Sequence, residues 1–186
     1  MLIAFHRLLV VAHRLFAVPR FFAPILLCLL LAAGSPVSAG SSDEAAVRSA
    51  MIFNLLKFTK WPDTLPADAT LRICAIDASP DLVAALQPLE QRSVGEHALA
   101  MKAVSVKEIS ACEIVVTDAP LTSYALNKVQ DRSILTIGEA GFIDRGGMIG
   151  ITVIDDRVRF EINLEAMKRS GISLPSQVLQ LAVRTR

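Results

Sequence analysis

Beyond position 39 the 186-residue chain has one histidine, His97, and two cysteines, Cys74 and Cys112, with no Cys-X-X-Cys spacing. A single imidazole excludes any site built on two histidine ligands, so a zinc centre would need an unusual donor set. The cysteine spacing excludes a thioredoxin-type catalytic pair. No basic block is present: 19 Lys and Arg stand against 18 Asp and Glu, which gives no electrostatic footprint for nucleic acid. There is no Gly-X-Ser-X-Gly elbow and no phosphate-loop lysine. The glycine cluster at 138–150 lacks a Gly-X-Gly-X-X-Gly pattern, and a strand-like segment follows it where a dinucleotide fingerprint needs a helix. It reads as a long turn in which Gly146 and Gly147 take positive φ. His97, Asp118 and a serine could fill a Ser-His-Asp count, but His97 is read as an exposed loop residue. Asp77, Asp155 and Asp156 are read as turn formers. No catalytic residue, metal or cofactor is expected, and the chain is read as a non-enzyme.

What the chain does have begins with an apolar leader. Residues 1–39 contain Arg7, Arg14 and Arg20 and no acid. A 13-residue apolar run at 21–33 follows, then Gly34-Ser35-Pro36 and the small-residue stretch Val37-Ser38-Ala39. This is the layout of a Sec-type export signal cleaved before Gly40. The run contains Pro24 and is shorter than the roughly 20 residues a bilayer-spanning helix needs. The remaining residues, 40–186, carry a net charge of −2, because only three of the basic side chains lie in the leader. They have the size of one ordinary domain. The expected location is the periplasm.

Cys74 and Cys112 are an even pair in an exported chain, where disulfides are favoured over free thiols. Each lies in or opens a β-like run, LRICAI and CEIVV. A bridge over that spacing would contribute about 4 kcal/mol by chain entropy. The alternative is two buried, unreactive thiols.

Periodicity predicts a helix over 42–60 with Asp43 and Glu44 at its positive end, stopped by Pro62. Next come a strand at 71–76, a helix near 81–89, an extended segment at 98–104, a helical turn at 107–111 and a strand at 112–117. A helix at 121–130 and a strand at 134–137 continue the alternation. Runs at 148–154 and 157–162 flank Asp155-Asp156 as an antiparallel hairpin. Asn163 is placed to cap a helix ending at Gly171, and Ser173 to cap a final one carrying Val178 and Leu181. The expected fold is a single α/β domain. Its mostly parallel sheet has about six strands, with helices on both faces and a C-terminal β-hairpin.

Several stretches then carry a family likeness. The segment AVRSAMIFNLLKFTKWP, with Lys57, Phe58, Trp61 and Pro62, resembles the opening of the YfiR family of bacterial periplasmic proteins. LRICAID and CEIVVTD resemble that family's two cysteine-bearing strands. ILTIGEAGFIDRGGMIGITVIDDRVRFEIN resembles its most specific signature. Order and spacing hold from about Ala46 to Ala182. The resemblance implies a periplasmic repressor that binds the periplasmic sensor region of an inner-membrane diguanylate cyclase and lowers cyclic di-GMP, with biofilm formation and motility downstream. It also implies relief by a peptidoglycan-associated outer-membrane lipoprotein, and it admits a homodimer. A second cysteine pair found in some members is missing here, where Arg145 and Ile154 stand in that neighbourhood. Phe58, Trp61, Pro62, Phe142 and Arg145 are the candidate partner or ligand surface. For Trp61, core packing is the alternative. A periplasmic small-ligand sensor, with its cleft near Trp61 and the turn at 141–147, is the second function class.

Overall fold

Leu71, Ile73 and Ala75 alternate along the chain with Arg72, Cys74 and Ile76, and all but Arg72 are buried. Such a strand has both faces covered, the condition of an inner strand in a parallel α/β sheet. It is β1 (Leu71–Ile76) of a computed structural model that describes residues 39–66, 69–154 and 157–186. The expected export signal, up to residue 38, and the Asp155-Asp156 turn lie outside the described residues.

The elements that follow β1 are α2 (Pro80–Leu86), β2 (Ser93–Val94), β3 (His97–Val104), β4 (Ile114–Val116), α3 (Ser123–Asn127) and β5 (Leu135–Glu139). Then come β6 (Ile149–Ile154), β7 (Arg157–Ile162), α4 (Leu164–Arg169), α5 (Ser176–Leu179) and β8 (Arg184–Thr185). The long helix α1 (Ala39–Phe58) precedes them all. Short 3-10 segments lie at Gln87–Gln91, Val106–Ala111 and Phe142–Arg145. The strand order is β2-β3-β1-β4-β5-β6-β7-β8. Pairing from β3 to β6 is parallel, and β2 and β7 are antiparallel to their neighbours β3 and β6. The order β3-β1-β4-β5-β6 is that of a doubly wound sheet, whose winding reverses between β1 and β4.

Side-chain alternation divides the core in two. On one face Ile52, Leu55 and Leu56 of α1, Leu82 and Leu86 of α2, and Met167 of α4 pack over Leu71, Ile73, Ile114, Ile137 and Ile149. On the other face Ala125 and Leu126 of α3, with Ile109 and Phe142, pack over Cys74, Ile76 and Val115. Residues 39–186 form one compact unit.

Local chemistry sets the boundaries. Ser79 caps α2, its Oγ accepting from Leu82 N, and Pro80 takes the first helical position. Asn163 caps α4 as expected: Oδ1 accepts from Ala166 N at 3.0 Å, and Nδ2 donates to the Ile143 carbonyl at 3.2 Å. The expected hairpin forms with Ile149 opposite Ile162 and Ile154 opposite Arg157. Three expectations need correction. Ser173 does not cap α5, because its backbone pairs with that of Lys60 in an isolated bridge; Pro175 stands at the cap. The helix expected over 121–130 shortens to α3. In the glycine cluster at 138–150 the left-handed residues are Gly141 (φ 71°) and Gly146 (φ 101°), not Gly147. Gly147 is needed for another reason: with Gly138 it lies against the ring of Phe142, which a Cβ at either position would overlap.

Candidate functional site

A sheet wound in this order offers its ligand crevice beyond the carboxyl ends of β1 and β4. There Asp77 takes φ 49°, an uncommon conformation for a side chain other than glycine. Ser79 N donates to Asp118 Oδ1 at 2.8 Å, and Ser79 Oγ donates to Asp118 Oδ2 at 2.5 Å. From α1, Arg48 reaches to 3.9 Å from Glu139 at the end of β5. The crevice between them holds about 220 Å³ and is lined by Glu44, Arg48, Ser79, Asp81, Leu82 and Asp118. Serine and carboxylate here satisfy each other and the start of α2, which makes this a capping arrangement.

His97 stands far from that crevice. It opens β3 rather than a loop, is partly buried, and has Nδ1 2.9 Å from the Ala69 carbonyl. The expected loop is replaced by the β2–β3 hairpin, which turns tightly at Gly95 (φ 59°). Because β1 pairs in parallel with both β3 and β4, His97 and Asp118 lie at opposite ends of the sheet. Their separation is about 26 Å at 3.3 Å per residue. These two residues form no triad. Among the described residues no group of three or more His, Cys, Asp or Glu is placed to hold a metal.

The residues expected on a partner or ligand surface divide between the two faces of the sheet. Phe58 ends α1 and is 52% exposed. Trp61 is partly buried against the α1-side core, and its Nε1 is buried without a hydrogen-bond partner among the described residues. Pro62 abuts Gly171 (φ 68°), where a Cβ would sit 3.3 Å from the proline Cβ. Trp61 and Pro62 rim a depression of about 360 Å³ with Lys57, Val94 and His97, and Phe58 is not part of its lining. Phe142, by contrast, is fully buried on the opposite face, so it is a core residue and faces no partner. Arg145 is exposed and lies over its ring, 5.8 Å from the centroid. A single cleft uniting Trp61 with the turn at 141–147 is not formed, because the sheet stands between them.

Cys74 and Cys112 are bridged, with Cα atoms 5.9 Å apart. Beside them Glu113 accepts from Arg72 Nε at 2.9 Å, Nη2 at 2.6 Å and the Arg72 backbone at 2.8 Å. Burial pushes the Glu113 carboxyl up, and these hydrogen bonds outweigh it and hold the group below the usual carboxylate range. A second charged cluster was not foreseen. Arg184 of β8 donates to Asp144 at 2.7 and 3.1 Å and to Glu161 at 2.8 Å. Its hydrogen bonds hold the Asp144 carboxyl below its ordinary value. The cluster fastens β8 to β7 and to the 3-10 turn after β5.

A family model described as YfiR/HmsC-like matches residues 45–183. Among solved structures, the chain is similar to the ABC domain in complex with L-Trp from Streptococcus pneumoniae. The identity is 13% and the TM-score 0.51, over 76% of this chain and 60% of that one. It is also similar to a conserved domain protein from Vibrio cholerae O1 biovar eltor str. N16961, at 13% identity and a TM-score of 0.46 with the same coverages. At such identity the first likeness speaks to fold alone, and the chain spans about three fifths of the length of the solved structures it matches. No curated protein matches.

Proposed function

The chain belongs to the YfiR/HmsC-like family, and on that premise we propose that it is a periplasmic regulator of cyclic di-GMP signalling that acts by binding rather than by chemistry. In the finer reading it binds the periplasmic sensor region of an inner-membrane diguanylate cyclase and holds its output low. An outer-membrane peptidoglycan-associated lipoprotein would relieve the repression by sequestering it. The observation that carries this reading is the family match, which extends over nearly all the described residues. The site geometry is compatible with it: the serine, histidine and acids are committed to caps, hydrogen bonds and ion pairs. No described helix is long and apolar enough to cross a membrane.

Repression of this kind is a population shift. A protein that prefers one state of a sensor moves its equilibrium by that preference. About 5.5 kcal/mol carries a switch from nearly all on to nearly all off, and a few well-placed anchors at an interface supply that much. The small-ligand reading has the depression of about 360 Å³ beside Trp61 in its favour, within the range of about 300–1,000 Å³ usual for ligand pockets. The protein-binding reading stands first on the family match. Deleting the gene in its native host should raise cyclic di-GMP, and re-expression should restore it. An unchanged level, under conditions where the protein is made, would refute the reading.

A further inference from the structure

Helix α1 is apolar on two sides. Its inward stripe, Ile52, Leu55 and Leu56, is core. On its outer side Val47 and Phe58 are 51% and 52% exposed. Between these stripes runs a groove of about 380 Å³ against α2 and the 3-10 segment after it. Ser49 Oγ donates to the Ala85 carbonyl at 2.7 Å and closes the two helices together beneath it. Part of its wall is small, with Ala46 and Ala50, one turn apart on α1, and Ala85 on α2; Asn54, Pro88 and Leu89 complete the lining beside Phe53 and the two cations. At 3.6 residues per turn, Ala46, Ala50, Phe53 and Lys57 fall within about 60° of arc on one side of α1. Val47 and Phe58 lie about 100° further round.

One end of the groove is strongly basic. The Lys57 ammonium lies 5.4 Å and the Arg92 guanidinium 4.8 Å from the centroid of the Phe53 ring. Cation–π contact with that ring holds both heads in place. Neither makes an ion pair among the described residues, unlike Arg48, Arg72, Lys102, Arg184 and Arg186. Two positioned, unneutralised cations at the end of a partly apolar groove complement a carboxylate-bearing partner. The walls also determine the form of that partner. An extended segment would find no backbone partners here, because α1 and α2 satisfy their own amides internally. A helix brings its backbone already satisfied, and alanine walls admit it at the 8–10 Å interaxial distance of packed helices. The span from Ala46 to Lys57 is about 16 Å, or three turns.

We propose that the α1–α2 groove is the docking surface for an amphipathic helix of the membrane sensor, with acidic residues at the end that meets Lys57 and Arg92. This rests on the repressor reading and names the surface that would carry it. Val47 and Phe58 flank the groove as apolar contacts for the same partner.

The full-length protein, expressed in its native host, tests this in two ways. The double reversal Lys57→Glu/Arg92→Glu puts like charges against the partner's acids and should weaken docking on the order of a hundredfold. Cyclic di-GMP should then rise to the level of the deletion strain, while periplasmic abundance and melting temperature stay at those of the unaltered protein. Independently, a photoreactive residue at Ala50 should cross-link to a membrane protein carrying a cyclase domain, within a helical segment rich in Asp or Glu. The same group at Tyr124, 68% exposed on α3, should not. If the double variant is exported, folded and fully repressing, or if Tyr124 cross-links and Ala50 does not, the groove is refuted and the repressor reading stands. If the deletion itself leaves cyclic di-GMP unchanged, both fall together.

Discussion

The fit of Phe142 between Gly138 and Gly147 can be tested by a double-mutant cycle. Phe142 is fully buried, so Phe142→Ala should cost about 3–5 kcal/mol, the usual toll of emptying an aromatic core site. A methyl at Gly147 would overlap the ring. Gly147 does not take a positive φ, so the penalty of Gly147→Ala is steric and not conformational. Overpacking of this kind costs about 1–3 kcal/mol. Removing the ring removes the clash, and the added methyl then occupies part of the vacated space. The double variant should therefore be less destabilised than the sum of the singles by about 1–3 kcal/mol. Urea unfolding of the oxidised protein, followed by fluorescence and far-UV circular dichroism, gives each stability. With a slope of about 2 kcal/mol per molar urea, Phe142→Ala should lower the midpoint by about 1.5–2.5 M. An additive cycle, or a Gly147→Ala protein within about 0.5 kcal/mol of the original, would refute the placement of the ring.

Three further predictions follow from the same structure. Replacing both Cys74 and Cys112 by alanine should lower stability by about 4 kcal/mol, and the bridged protein should label with a thiol reagent only after reduction. Glu113 and Asp144 both titrate below their ordinary values, Glu113 through Arg72 in spite of burial and Asp144 through Arg184. The stability they contribute is therefore complete above the unfolded carboxylate range near pH 4 and is lost as pH falls through their lower folded values. Melting temperature measured between about pH 5 and 2.5 should fall less steeply in Glu113→Gln than in the original. Trp61→Phe deletes a buried indole N–H that has no partner among the described residues, a group whose desolvation costs about 1–3 kcal/mol. It should be destabilised far less than Trp61→Ala, and a large loss in both would show that Nε1 has a partner after all.

The strands with both faces buried were the most legible in the sequence, because β1 and the β6–β7 hairpin have the length and composition that only a sheet core or a half-covered ribbon explains. The two-residue strands β2 and β8 were not, since two residues carry no periodicity. Their existence depends on partners far along the chain: β8 is held by Arg184 on Asp144 and Glu161, a contact that no local pattern announces. Phe142 was misplaced for a related reason. A phenylalanine among glycines looks like an exposed ring on a loose turn, whereas the glycines are small because the ring folds back onto them. Of the expected surface, Trp61 and Pro62 do line one depression, since the proline fixes them locally, while Phe58 is exposed at the end of α1 outside that lining. The groove beside α1 was not legible in the sequence because its small wall residues are alanines, which read as ordinary helix formers, and one of its two cations, Arg92, lies far off in sequence.

The Cys74–Cys112 bridge gains a further meaning from its place in the winding. The strands on one side of it, β2, β3 and β1, are built from residues 71–104, and those on the other, β4 to β8, from residues 114–185. The covalent link therefore sits at the seam between two consecutive lengths of chain that meet along β1 and β4. A chain emerging from its amino end has both sulfurs available once Cys112 is out, before the hairpin, α4, α5 and β8 have appeared. The seam can then be locked on the first half alone. β8 lies four strands beyond the seam, so opening at that edge leaves the covalent tie between the β1 and β4 sides intact.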